Sequence, residues 1–177
     1  MKRLRTCCFI DYNHSNKLFR QNEIQITEDF KHKLKEAIKN LIKNFNTIHF
    51  ISGMGLGFEQ YAAEMVLELK DEYSLITLEA VLPYENFPIE WNETQRDKYY
   101  SIMQKIDKEI LIQYHHTKEC MRKRNMYMIN KSNYIILLCN NTREIYNLTL
   151  YARSNKKNVF IMEPDTLNIK PQIKIYK

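Results

Sequence analysis

Apolar residues recur along the chain in two alternating patterns. Short apolar runs predict β-strands, and longer stretches with apolar residues at three- and four-residue steps predict helices. The predicted strands cover residues 5–10, 47–52, 75–82, 108–114, 133–139 and 158–162. The predicted helices cover residues 28–45, 58–69, 93–107, 117–131 and a segment around 145–152. This alternation indicates an α/β fold with a mainly parallel central sheet between two layers of helices.

The first predicted helix shows how the pattern sets its start and its buried side. Thr27 is placed to cap the amino end, and the two acids that follow it lie where the helix dipole favours negative charge. The predicted buried face consists of Phe30, Leu34, Ile38, Leu41 and Phe45. Further along the chain, Asn92 and Gln95 suit a capping box before the helix at 93–107.

The composition is that of an ordinary folded domain. The chain has 177 residues, of which 44% are hydrophobic and 27% charged, so intrinsic disorder and a disulfide scaffold are excluded. We expect a single domain over residues 1–177. No run of about 18 apolar residues occurs and the amino terminus leads into a strand, so we predict no membrane span and a cytoplasmic location.

The charge balance permits an anionic partner without requiring one. The chain has 27 Lys and Arg against 21 Asp and Glu, a net charge of +6, but many lysines fall on predicted amphipathic helices as a solvated face. The four cysteines are Cys7, Cys8, Cys120 and Cys139. They form no C-x-x-C pair and no metal-ligand spacing with His115 or His116. We therefore expect reduced, mostly buried thiols, surface histidines, no metal site and no cofactor.

Glycine occurs only three times in the chain, at Gly53, Gly55 and Gly57. The three glycines directly follow the predicted strand at 47–52 and precede the helix at 58–69. Ligands of parallel sheets bind beyond the carboxyl ends of the strands, and a glycine turn leading into a helix is a phosphate-binding arrangement. We expect the backbone amides of residues 53–57 to form an open, electropositive cradle for an anion. The alternative is that the glycines serve only close packing of strand and helix.

Two charged residues near this loop each have two interpretations. Glu59 lies in the first helical turn, where it either accepts hydrogen bonds from a ribose diol or caps the helix. Arg124 falls on the apolar face of the helix at 117–131, where an unpaired charge is strongly unfavourable. Its partner is either an internal carboxylate, such as Glu64 or Glu85, or a phosphate bound by its planar fork, with Asn125 adding a neighbouring amide.

The glycine loop resembles a known signature. The segment Ser52-Gly53-Met54-Gly55-Leu56-Gly57-Phe58-Glu59-Gln60-Tyr61-Ala62-Ala63 is similar to the S-G-x-x-x-G-x-D-x-x-A signature of the SLOG superfamily, which includes the DNA-processing protein DprA and the Lonely Guy phosphoribohydrolases. The YpsA-like branch is more similar still, at residues 7–9, 83–86 and 120–128. The resemblance extends over nearly the whole chain. It implies a Rossmann-like three-layer sandwich that binds a nucleotide or a nucleotide-derived ligand.

The loop, the unusual arginine and the resemblance together define a set of expected ligand-binding residues. These are Ser52, Gly53, Met54, Gly55, Leu56, Gly57, Phe58, Glu59, Arg124, Asn125 and Asn147. No catalytic residue is assigned. Two other loops depart from the YpsA-like pattern: residues 10–14 lack the glycine and arginine of its T-G-H-R-P loop, and residues 143–147 keep only the asparagine of its G-G-T-A-N stretch.

Four functions fit these observations, and we favour the first. It is a non-catalytic module that binds or senses a nucleotide-derived small molecule. The second is a Lonely Guy-like phosphoribohydrolase acting on nucleoside monophosphates, with Glu59, Glu64 and Arg124 as candidate groups. The third is DprA-like binding of single-stranded DNA, a nucleic-acid partner that the net charge supports only weakly. The fourth is a protein-interaction scaffold that has lost its ligand. No membrane partner is expected, and a homo-oligomer is left open.

Overall fold

Strands and helices alternate along the chain as the apolar pattern predicts. The computed structural model describes residues 4–11, 28–138, 143–163 and 169–171. The strands are β1 Arg5–Asp11, β2 Thr47–Ser52, β3 Thr77–Leu82, β4 Lys108–Leu111, β5 Tyr134–Leu138, β6 Asn158–Met162 and β7 Ile169–Pro171. The helices are α1 Glu28–Phe45, α2 Phe58–Leu69, α3 Glu93–Met103, α4 Cys120–Lys131 and α5 Arg143–Ser154.

The described strands form one sheet in the order β4-β3-β2-β1-β5-β6-β7. Neighbouring strands from β4 to β6 run parallel, and β7 pairs antiparallel with β6. The predicted α/β, Rossmann-like fold with a mainly parallel sheet is therefore confirmed, although the apolar pattern did not predict β7. The strand order reverses at β1, which lies between β2 and β5. Such a switch point opens a crevice at the carboxyl ends of the strands.

Alternate side chains of β1 show that both faces of the sheet are covered. Cys7 and Phe9 pack into a core with residues of α1, α2 and α3. Cys8 and Ile10 pack on the opposite side with residues of α4 and α5. Every residue of β5 is buried, as is typical of a parallel strand between two helical layers.

Most local predictions are confirmed, and the exceptions lie at the ends of elements. The capping box of Asn92 and Gln95 is present at the start of α3. Phe45, predicted on the buried face of α1, is 39% exposed, because it is the last residue of the helix. Its ring packs against that of Tyr134 at an angle of 62°. The strand β4 ends before 114 and α4 begins after 117, because residues 112–119 form a loop between them. The proposed cap Thr27 and the thiol of Cys139 lie outside the described residues.

No helix in the described part of the chain combines the length and the apolar character needed to cross a membrane.

Candidate ligand site at the glycine loop

The glycine loop lies at the carboxyl edge of the sheet, beside the switch point. It directly follows Ser52, the last residue of β2, and leads into α2. Phe9 of β1 pairs with Ser52, so the end of β1 at Asp11 extends past the start of the loop. The loop therefore lies where ligands bind in open parallel sheets.

A buried ion pair fills the space above the loop. Nη2 of Arg124 donates to Oε1 of Glu59 at 2.9 Å, with the two side chains 0% and 1% exposed. Nη1 of Arg124 donates to the carbonyl oxygen of Gly53 at 2.9 Å. The pair joins α4 to the first turn of α2, across the end of the sheet. Because its charges are removed from water, its geometry depends on the hydrogen bonds that surround it.

The Glu59 carboxylate is held by the backbone of two other segments. Its Oε2 accepts from the Gly55 N–H at 2.8 Å, and its Oε1 accepts from the Asp11 N–H at 3.2 Å. The hydroxyl of Ser52 donates to the carbonyl oxygen of Glu59 at 2.8 Å and accepts from the Met54 N–H at 3.1 Å. The loop, the end of β1 and the start of α2 are thus bound to one carboxylate and one hydroxyl.

The position of the ion pair explains two of the three glycines. A Cβ atom on Gly53 would lie 2.6 Å from Cζ of Arg124, and one on Gly55 would lie 2.8 Å from Oε2 of Glu59. Both distances are shorter than any normal contact, so a side chain at either residue would displace the pair. Gly57 has a φ of 87°, a conformation that residues with a side chain rarely adopt.

The prediction of an open cradle over residues 53–57 is wrong at Gly53 and Gly55. Their space is taken by the protein's own guanidinium and carboxylate, and the Gly55 N–H is already bonded. Ser52, Met54 and Phe58 are also buried. The half-buried part of the loop is Leu56 and Gly57. A ligand at this loop would meet its tip and the amino terminus of α2.

The helix α2 begins at that tip, and Asn125 lies on the other side of the ion pair. Gly57 is the N-cap of α2 and makes no side-chain cap hydrogen bond. The residues that follow it, Phe58, Glu59 and Gln60, are at most 1% exposed, so Gly57 is the half-buried part of the helix start. Asn125 is 6% exposed, and its Oδ1 accepts from Nε and Nη2 of Arg124 at 3.2 and 3.0 Å. With Oδ1 accepting from Arg124, the amide nitrogen Nδ2 is the donor that Asn125 has left. Nδ2 has no hydrogen-bond partner among the described residues.

The structure resolves the two interpretations of the charged residues. Glu59 neither faces solvent as a ribose ligand would nor caps α2, because its side chain turns inward to Arg124. The internal partner of Arg124 is Glu59, so the expectation of Glu64 or Glu85 is wrong. Glu64 instead pairs with Lys98 of α3 at 2.9 Å. Spacing alone could not distinguish these carboxylates, since each lies far from Arg124 in sequence.

The last predicted ligand residue, Asn147, and the predicted buried thiols take no part in the ion pair. Asn147 is exposed on α5, the helix that follows β5 on the other side of the switch point. Cys7 and Cys8 are buried and unpaired, and burial raises the pKa of Cys8 to about 12. Within the described residues, no group of three or more His, Cys, Asp or Glu side chains could hold a metal ion.

The family model YpsA, described as the YspA SLOG family, matches residues 12–167. The chain belongs to this SLOG family. A UPF0398 protein of Lactobacillus helveticus is 38% identical over 77 residues, 44% of this chain and 40% of the relative. A UPF0398 protein of Halalkalibacterium halodurans is 30% identical over 127 residues, 71% of this chain and 66% of the relative. The matched part of the chain thus spans between two fifths and two thirds of the length of these relatives.

A solved structure shares the fold of this SLOG-family chain. DNA processing protein A from Helicobacter pylori, which binds single-stranded DNA, aligns with a TM-score of 0.55 and 16% identity. The alignment covers 89% of this chain and 64% of that protein. At this identity the likeness concerns the fold.

Sequence reasoning missed two features of this edge of the sheet. One is the Asp11 N–H, which binds Glu59 through the backbone and therefore leaves no trace in residue type. The other is a shallow cavity of about 530 Å³, wide open to solvent and lined by Glu85, Gln113, Tyr114, His115 and Thr117. The exposed residues of the loop after β4 gave a signal for it, since aromatic and imidazole rings follow one another at 114–116.

Proposed function

We propose that this protein binds a nucleotide or nucleotide-derived ligand at the carboxyl edge of its sheet and does not transform it. The observation that carries the proposal is the uncapped amino terminus of α2, which follows the glycine loop beside the switch point. The positive end of the helix dipole favours an anion such as a phosphate at the half-buried loop tip, Leu56 and Gly57. Membership of the SLOG family supports the binding of a nucleotide or nucleic acid.

The ion pair removes the main electrostatic objection to this proposal. A free carboxylate in the first turn of α2 would repel a phosphate, but the charge of Glu59 is compensated by Arg124 at 2.9 Å. The pair leaves the unpartnered amide of Asn125 as an additional neutral donor. Glu59 is the only acid in the first turn of α2, so with its charge compensated by Arg124 this turn presents no unpaired carboxylate to an anionic ligand.

The positions of the carboxylates favour binding without catalysis. Hydrolysis of an N-glycosidic bond requires a carboxylate that reaches the ribose. Glu59 is enclosed by Arg124, Gly55 and Asp11, and Glu64 is engaged with Lys98 on the helical layer. Neither of the two carboxylates considered for a phosphoribohydrolase is placed to act on a ligand at the loop tip.

Calorimetry tests the proposal directly. The wild-type protein is titrated with 5′-mononucleotides, NAD, ADP-ribose and cyclic nucleotides, and we expect saturable heat with at least one of them. Leu56→Asp places a negative charge on the half-buried loop tip and should weaken that binding about tenfold or more. The matched control is Leu75→Asp, at a residue 79% exposed before the amino end of β3, which should leave binding unchanged.

Three results would contradict the proposal in different ways. An absence of heat with every nucleotide would remove the ligand and favour the scaffold. Release of free base or ribose phosphate, followed by chromatography of the titrated mixture, would show catalysis. Tight binding of a fluorescent oligothymidylate with a steep salt dependence, and none of mononucleotides, would favour single-stranded DNA as the partner.

A further inference from the structure

The cavity of about 530 Å³ lies on the same edge of the sheet as the glycine loop. Glu85 belongs to the segment that follows β3, and the other lining residues belong to the loop between β4 and α4. Carboxyl ends of parallel strands meet at one edge, so the loops after β2, β3 and β4 are neighbours there. Two strand spacings separate β2 from β4, about 10 Å in all. That is roughly the reach of a nucleotide from its phosphate to the far side of its base.

Side-chain hydrogen bonds fix the loop that lines the cavity. Nε2 of Gln113 donates to the carbonyl oxygen of His115 and to Oγ1 of Thr117. Oε1 of Gln113 accepts from Nζ of Lys123 at 3.1 Å, which attaches the loop to the first turns of α4. The Glu85 N–H donates to the carbonyl oxygen of Tyr114 at 3.3 Å. The cavity wall is therefore preorganised and does not depend on a ligand for its shape.

Two side chains that line the cavity, those of Tyr114 and Glu85, are available to a ligand. The side chain of Tyr114 is 71% exposed, although the backbone on both sides of it is held in place. The carboxylate of Glu85 makes no ion pair or hydrogen bond to the residues that the structure describes. A large aromatic ring held in water offers a stacking surface, and a free carboxylate offers two acceptors to N–H donors.

We propose that this cavity is the base-binding part of the ligand site, with Tyr114 stacking on a nucleobase and Glu85 selecting a base that presents adjacent N–H donors. Guanine carries two such donors on its Watson–Crick edge, whereas adenine and cytosine present one donor beside an acceptor that a carboxylate would repel. A cationic ligand fits less well, because the ammonium group of Lys123 is bonded to the cavity wall. The inference rests on the proposed function, since it takes the phosphate to lie at the loop tip.

The experiment compares ligands with and without a base. Wild-type protein is titrated with GMP, AMP and ribose 5-phosphate. We expect GMP to bind more tightly than AMP, and both more tightly than ribose 5-phosphate. Tyr114→Ala should weaken GMP binding about 5- to 150-fold, the range of one lost base stack, and leave ribose 5-phosphate binding unchanged. The control is Tyr100→Ala, an exposed tyrosine on α3, which should change neither.

Glu85→Gln tests the selectivity without changing the shape of the side chain. Replacing one acceptor oxygen by an amide donor should reduce the preference for GMP over AMP about tenfold or more, with Glu90→Gln as the exposed control on the same segment. Equal binding of GMP and ribose 5-phosphate, with no effect of Tyr114→Ala, would overturn the base site and leave the phosphate site intact. Binding of none of GMP, AMP and ribose 5-phosphate would overturn this inference, and the proposed function would fall with it only if NAD, ADP-ribose and the cyclic nucleotides gave no heat either.

Discussion

Removing Arg124 should be among the most destabilising single changes in the chain. In Arg124→Ala the Glu59 carboxylate stays buried, keeps the N–H groups of Gly55 and Asp11, and loses its only charged partner in the described part of the chain. The carbonyl oxygen of Gly53 and Oδ1 of Asn125 lose their donors as well. Breaking a buried pair by removing one partner reduces the free energy of unfolding by about 3–5 kcal/mol. For a domain of this size that corresponds to a melting temperature roughly 6–20 °C lower.

Urea denaturation followed by circular dichroism measures this loss. Arg122→Ala is the matched control, because Arg122 lies two residues away on α4 and its pair with Glu119 is exposed; that change should alter stability by less than about 1 kcal/mol. Adding Glu59→Gln to Arg124→Ala removes the stranded charge and should recover part of the loss, which a double-mutant cycle quantifies. Equal, small effects of the two arginine substitutions would refute the buried pair.

Three further outcomes follow from the same structure. Gly53→Ala should lower the free energy of unfolding by about 1–3 kcal/mol in urea denaturation, because its Cβ would lie 2.6 Å from the guanidinium carbon; wild-type stability would contradict the packing. Burial raises the pKa values of the Cys7 and Cys8 thiols, so a thiol reagent at pH 8 should label them only as fast as the protein unfolds, and labelling within seconds would be inconsistent with burial. Burial by itself would raise the pKa of Asp107. The hydrogen bond from Lys70 acts in the opposite direction, and the pKa lies below its ordinary value of 3.8. Asp107→Asn should therefore be less stable than wild type at pH 7, with a difference that shrinks as the pH falls through the lowered pKa; a constant difference from pH 7 to pH 2 would exclude this linkage.

The fold could be predicted from sequence because it depends on local periodicity. The apolar run at Tyr134–Leu138 and the helical spacing of Phe30, Leu34 and Ile38 each specify an element without reference to the rest of the chain. The ends of elements were less predictable. β4 ends at Leu111, and the loop that follows is fixed by side-chain bonds of Gln113, which periodicity does not encode.

The site could be predicted only in part, for a related reason. The chain's three glycines marked the loop, and the placement of Arg124 on an apolar helix face showed that it needed an anionic partner. Choosing that partner required the relative positions of α2 and α4, which are separated by about 50 residues and are set by packing on both sides of the sheet. Glu59 and Glu64 both lie on α2, and only the tertiary structure turns one toward Arg124 and the other toward Lys98.

The glycines and the ion pair form one structural unit, and this bears on why charges are buried at all. A buried salt bridge is poor at adding stability, because desolvation offsets most of the attraction, and apolar replacements are often equally stable. An apolar pair could fill the same space, but it could not accept from the N–H groups of Gly55 and Asp11 or donate to the carbonyl oxygen of Gly53. What the pair adds is therefore the fixed backbone path of the loop, which brings Gly57 and the amino terminus of α2 to the edge of the sheet. An apolar substitution of Glu59 and Arg124 together that preserved both stability and ligand binding would show that the loop keeps this path without the charges.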